Sequence, residues 1–169
     1  MLEIRPEERA DHDAIRELLR RAFEPYGGEA ELVDALRAAG DHVPELCLVA
    51  IEDGELAGHV FYSRVRLESG DEALALAPMA VRPGGQRRGT GSRLVEQSLV
   101  RAAKTELPLV AVLGHPAYYP RFGFEPADRF GVVAPWDVPP EAWMVHPLPA
   151  YHPDARGLVT YPAAFGAVT

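Results

Sequence analysis

At 169 residues the chain is long enough for one hydrophobic core and short for two, so a single domain over residues 1–169 is expected. The formal net charge is −8, although residues 82–93 hold four arginines and no carboxylate; this acidic bulk argues against nucleic acid as a partner and suits a cationic amine. An acidic N-terminus and the lack of any apolar run of spanning length predict no membrane partner and a cytoplasmic location, and the lone Cys47 excludes an intrachain disulfide and reads as a buried small hydrophobe.

Leu2 and Ile4 alternate with charged neighbours and predict a short strand before Pro6. Asp11 is the expected cap of a helix carrying Ile15, Leu18, Leu19, Ala22 and Phe23 at helical spacing, broken by Pro25-Tyr26-Gly27-Gly28. A second helix runs from Glu29 to Ala39, with Leu32, Val33 and Leu36 inward and Gly40 at its end. Strands follow at Leu46–Ile51 and Leu56–Leu67, hinged at the Asp53-Gly54 hairpin signal. Gly58 invites a bulge, with His59, Phe61 and Ser63 on one face and Val60, Tyr62 and Arg64 on the other. The turn at Gly70-Asp71 leads into a strand from Ala73 to Val81, whose ladder Pro78 must interrupt because proline has no N–H.

That strand ends at Pro83-Gly84-Gly85, and a helix follows with Leu94, Val95, Leu99, Ala102 and Ala103 on one face. Gly89 and Gly91 flank its start and leave the first-turn N–H groups bare, while Arg82, Arg87, Arg88 and Arg93 add positive charge. Such a helix end suits a phosphate or pyrophosphate. No lysine follows in register for a nucleoside-triphosphate loop, and the third glycine of a dinucleotide fingerprint is missing. Leu109–Leu113 reads as a buried parallel strand. Ten of the sixteen prolines stand from Pro116 onward; Ala142–Val145 and Gly157–Tyr161 are expected as short edge strands there, the tail forming one wall of an acceptor site.

Gln86-Arg87-Arg88-Gly89-Thr90-Gly91 resembles the Q/R-x-x-G-x-G/A signature of the GCN5-related N-acetyltransferase (GNAT) family, and Tyr119 stands four residues before Gly123-Phe124 as in that family's Tyr-x-x-x-Gly-Phe pattern. The resemblance covers residues 2–126 and, less specifically, the extension 127–169. It implies a mixed α/β (α+β) fold: a central, mostly antiparallel twisted sheet with flanking helices, whose parallel fourth and fifth strands splay apart. It also implies acetyl-CoA as co-substrate, an amine acceptor and relatives that are often homodimers, while the six histidines show no His-x-x-x-His or His/Cys pairing, so no metal site is expected. Cofactor contacts are then expected from Met79, Ala80, Val81, Gln86, Arg87, Arg88, Gly89, Thr90, Gly91 and Ser92. The Ala80 N–H would face the thioester carbonyl, and Tyr119, or Tyr118 in its place, would protonate the departing thiolate.

An amine acceptor also needs a base. Glu24 and Glu29, beside Tyr26, and Glu68 are candidates, and His59, His115 and His146 titrate in a useful range. Among these, Glu24, Tyr26, Glu29 and His115 are expected to bind the acceptor. Many relatives place an asparagine after the fifth strand where this chain offers His115. A non-catalytic acetyl-CoA-binding module on the same fold is the alternative, and transfer to oxygen or of a longer acyl group a weaker one.

Overall fold

In the structure, a computed structural model that describes residues 1–25, 27–85 and 89–168, the N-terminal strand Leu2–Pro6 (β1) lies antiparallel to Leu48–Glu52 (β2). β2 begins two residues later than expected because Pro44 starts a 3-10 turn over Pro44–Leu46. β2 joins Glu55–Leu67 (β3) through a hairpin whose central residues, Asp53 (φ 53°) and Gly54 (φ 82°), both take the positive φ of a type I′ turn. The β2–β3 register shifts between Ala50 and Ile51, placing a bulge beside Gly58. β3 then pairs antiparallel with Glu72–Val81 (β4).

The two faces of β3 bury different cores. Val60 and Tyr62 pack with Leu94, Val95 and Leu99 of the helix Thr90–Ala102 (α3). Phe61, on the opposite face, packs with Ile15 and Leu19 of His12–Phe23 (α1) and with Leu32, Val33 and Leu36 of Glu29–Ala39 (α2). Asp11 does not cap α1 with its side chain. Its carboxylate instead grips Arg5 at 2.8 Å and accepts the Glu8 N–H at 2.7 Å, closing the 3-10 turn Arg9–Asp11 that precedes the helix.

β4 is parallel to Leu109–Leu113 (β5), but the two pair only at Leu74–Val110 and Ala75–Ala111. Beyond that point the β3–β4 register slips: Val60 faces Met79 whereas Tyr62 faces Leu76, so β4 carries one extra residue at Ala77-Pro78. A bulge bends its strand and breaks the ladder locally. Met79–Val81 therefore leaves β5 behind, and a gap opens between the strands.

The tail departs from expectation. Trp143–Pro147 (β8) is not an edge strand but lies between β5 and the two-residue strand Glu125–Pro126 (β6), with Trp143, Met144 and Val145 buried. Gly157–Thr160 (β9) pairs with the last two residues of β3 and with Val132–Val133 (β7). Cys47 is fully buried, and burial pushes its thiol up to about 12.

Away from the gap, α2 is tied to the sheet by a buried ionic cluster. The Glu7 carboxylate lies 2.6 Å from Arg37 of α2 and 3.0 Å from Nε2 of the fully buried His59 on β3. Burial lowers the His59 pKa more than Glu7 raises it, so a neutral ring donates from Nε2 to an ionised carboxylate. Burial alone would raise Glu7, but the His59 hydrogen bond and the Arg37 guanidinium hold it below the usual range. No described helix is long and apolar enough to cross a membrane, and the described residues contain no group of three or more His, Cys, Asp or Glu that could hold a metal.

Candidate active site

The N-terminus of α3 is prepared for an anion by what it lacks. Gly89, in the left-handed region at φ 82°, precedes Thr90, and among the described residues no side chain caps the helix, which leaves its first-turn amides without a side-chain acceptor there. Gly91 has to be small: a Cβ there would lie 3.1 Å from Tyr118 Oη, 3.3 Å from Val81 Cγ2 and 3.7 Å from Met79 Sδ. The helix thus approaches β4 closely on that side. Gly58 permits a second close approach, since a Cβ would stand 2.8 Å from Leu94 Cδ1 and 3.2 Å from Thr90 Cγ2. Thr90 is buried, with its Cγ2 methyl against this glycine. Gln86, Arg87, Arg88 and Tyr26 lie outside the described residues.

One of the four arginines is already engaged. Arg82 sits 3.3 Å from Glu52 and 3.3 Å from Glu55, carboxylates of the β2–β3 hairpin that lie outside residues 82–93. Those acids are distant in sequence and adjacent only across the sheet. Arg93 is exposed on the first turn of α3.

The strand register also corrects the amide expected to meet the thioester. Arg82 N–H donates to the Ala57 carbonyl at 2.8 Å, and amides alternate sides along a strand. Ala80, paired with His59 two residues earlier, therefore points its N–H at β3 as well. Met79, paired with Val60, is one step out of phase and directs its N–H toward the gap. Ala80 contributes a buried methyl to the α1–α2 core instead.

A cavity of about 600 Å³ occupies the gap. Its floor is the bulged segment Leu76–Met79 of β4, and Leu113, Gly114 and His115 form the end of β5. Tyr118 and Tyr119 line it from the turn that follows, Phe23, Glu29 and Leu32 from the helices, and Trp136, Tyr161 and Phe165 from the tail. Tyr119 begins the 3-10 turn Tyr119–Phe122 and packs edge-on against Tyr118 and Phe124. Gly114 makes room for it, because a Cβ there would strike the Tyr119 ring. Burial pushes the Tyr119 phenol up to about 12, so it stays protonated across the physiological range.

Among the acids proposed as a base, the structure separates one from the rest. Glu29, the first residue of α2, lines the cavity, and its Oε1 is buried with no hydrogen-bond partner among the described residues. Glu24 is exposed and does not line the cavity. Glu68 is exposed beyond the far end of β3 and accepts the Leu158 N–H at 3.0 Å. His115 lines the cavity from an exposed position, whereas His59 is held by Glu7 and His146 packs against Phe124. The tail aromatics were expected only as an unspecified wall, because no sequence pattern links Trp136 or Phe165 to β4.

A family model for the acetyltransferase (GNAT) domain matches residues 3–127. The uncharacterized N-acetyltransferase YjhQ of Escherichia coli is 37% identical over 150 residues, which is 85% of this chain and 82% of that protein. The crystal structure of the GNAT family N-acetyltransferase YhbS from Escherichia coli, in complex with CoA, superposes with a TM-score of 0.88 at 35% identity, covering 98% of this chain and 92% of that one. A GNAT family acetyltransferase from Brucella melitensis, in complex with acetyl-CoA, superposes with a TM-score of 0.80 at 30% identity over 98% of both chains. The splayed strand pair, the uncapped helix after it and these relationships lead to one assignment: the chain belongs to the GNAT family of acetyltransferases and is an acyltransferase.

Proposed function

We propose that this protein transfers an acetyl group from acetyl-CoA to the primary amine of a small molecule or peptide, by direct attack within the β4–β5 gap. The observation that carries this reading is that Tyr118 and Met79, which lie against Gly91 in the first turn of α3, also line the cavity that holds a protonated phenol and a carboxylate without a hydrogen-bond partner among the described residues. Acetyl-CoA, when bound, supplies an activated thioester. The residues present suit it: bare first-turn amides at Thr90, Gly91 and Ser92 for a diphosphate, and a β4 edge that no strand covers beyond Ala75.

Each remaining requirement of the transfer has a group on this chain. The Met79 N–H is directed where a carbonyl oxygen gaining negative charge can be held, a placement of the kind that is commonly the largest single contribution in acyl transfer. Tyr119 serves the leaving sulfur. A phenol near 12 is a weaker acid than a thiol near 8.5, so Tyr119 stabilises the sulfur chiefly by donating a hydrogen bond, and the proton follows from solvent or the acceptor. This refines the expectation of full proton transfer by the phenol. A hydrogen bond to a charged group contributes about 1.5–3 kcal/mol, enough for roughly a 10- to 100-fold effect on rate.

The test is free-thiol release from acetyl-CoA across a panel of amines, with acetyl-CoA affinity measured in parallel. Amine-dependent release, with the acetylated amine identified by mass, supports the reading. Tight binding without release on any amine leaves a non-catalytic coenzyme-binding role in its place.

A further inference from the structure

Granted that the gap is the site of acetyl transfer, we propose that its acceptor is an arylalkylamine without an α-carboxylate, and that Glu29 receives the ammonium group. Three independent features of the cavity support this. Glu29 is the one carboxylate among the described lining residues, and no lysine or arginine joins it there. A ligand carrying a carboxylate beside its amine would find no lysine or arginine among the described lining residues, whereas a bare ammonium finds Glu29.

The second feature is the state of Glu29 itself. Its Oε1 is shielded from solvent and makes no hydrogen bond with any described residue, although acids elsewhere on α1 and α2 are paired: Glu17 with Arg21, Glu31 with Arg20 and Asp34 with Arg16. Leaving a shielded carboxylate oxygen unpartnered is unfavourable, and an incoming ammonium removes that cost. The third feature is the aromatic part of the lining, where Trp136 lies 4.6 Å from Tyr161 and Tyr161 lies 4.8 Å from Phe165, ring centre to ring centre. With Phe23 and Leu32 these rings form an apolar enclosure suited to a flat hydrocarbon body and unsuited to a polycation.

In the transfer, one proton of the ammonium passes to the Glu29 carboxylate and on to solvent. The neutral nitrogen then bonds the carbonyl carbon, and the carbon–sulfur bond breaks with its electron pair on sulfur. A second nitrogen proton ends on that sulfur, giving the amide, the free thiol and one released proton.

The experiment is calorimetric titration of 2-phenylethylamine into CoA-saturated protein, with L-phenylalanine and spermidine as comparisons and with Glu29→Gln as the variant. Binding of 2-phenylethylamine at least 10-fold tighter than either comparison, and at least 10-fold weaker in Glu29→Gln, is expected. A CD-monitored melt of the variant within a few degrees of the parent separates this from loss of fold. In turnover, kcat/KM of Glu29→Gln at pH 7 should fall about 10- to 100-fold and recover toward pH 10, where the free amine is neutral in solution. Unchanged affinity in the variant, or equal binding of phenylalanine or spermidine, overturns the proposal even if other amines are acetylated. Glu29-dependent binding without turnover of any amine upholds the site and overturns acetyl transfer instead.

Discussion

The Tyr118 hydroxyl lies 3.4 Å from Ser92 Oγ, so the turn after β5 reaches across to the first turn of α3. Tyr119, next in the chain, packs edge-on against Tyr118 at 5.1 Å and lines the cavity with a buried phenol. Both tyrosines line the cavity and only Tyr118 reaches α3, so on the proposed roles their phenylalanine variants should separate. Tyr119→Phe should lower kcat about 10- to 100-fold with the KM for acetyl-CoA little changed. Tyr118→Phe should raise that KM several-fold with kcat nearly intact. Steady-state kinetics of the two variants decide it, and the reverse pattern would make Tyr118 the partner of the sulfur.

Gly91→Val should reduce CoA affinity at least 100-fold by calorimetry. The added methyls would fill the space now bounded by Tyr118 Oη at 3.1 Å and Val81 Cγ2 at 3.3 Å. Overpacking of this kind costs about 1–3 kcal/mol, so the variant should still fold. Gly89 is a poorer place for this test, because its φ of 82° penalises any side chain whether or not a ligand binds there.

Glu7→Gln should destabilise the protein by about 1.5–3 kcal/mol in urea unfolding, since Arg37 would lose the nearer of its two carboxylates and keep only Asp34 at 3.3 Å. The same cluster predicts acid sensitivity. His59 is held neutral, with its folded pKa below 6.5, so the unfolded chain takes up a proton first as pH falls below 6.5 and stability declines. Glu7 is depressed below 4.5, and its contribution is lost as pH falls further through that value. Glu7→Gln should remove the part of this loss that sets in below pH 4.5 and leave the His59 part in place, because Glu7 is the group that raises His59 against the effect of burial.

Alkaline pH should destabilise the fold by the opposite arrangement of protons. Burial raises Cys47 from 9.0 to about 12 and Tyr119 from 10.0 to about 12, and it raises Tyr62 as well. These groups bind protons more tightly when folded. Their contribution is complete below pH 9 and is lost as pH rises from 9 to 12, while the unfolded chain ionises first. Unfolding midpoints measured from pH 8 to 11 should fall steadily, and a Cys47-directed thiol reagent should react at pH 8 only after denaturant is added.

Much of this arrangement is local chemistry and could be read from the chain. The Asp53-Gly54 hairpin, the proline that breaks the β4 ladder, the glycines before α3 and the tyrosine ahead of Gly123-Phe124 each act within a few residues of themselves. Features set by long-range register could not be read that way. Whether Met79 or Ala80 turns its amide to the gap depends on which β3 residue each faces, and shifting a strand by one residue reverses every such assignment. The pairing of Arg82 with Glu52 and Glu55 exists only because the β2–β3 hairpin folds beside the end of β4. Glu29 was one acid among several until the tail aromatics and the β4 bulge enclosed it and left Glu24 outside.

Acetyl transfer in the gap requires one seating of CoA, with its diphosphate on the first turn of α3 and its pantetheine arm running along β4 into the gap. The most direct test of this seating is the backbone amide spectrum of 15N-labelled protein during titration with CoA. The account predicts the largest shifts at Met79, Gly91 and Ser92, with little change along the groove between Arg64 and Lys104. Shifts centred on that groove, with Met79 and Gly91 unmoved at saturation, would contradict it.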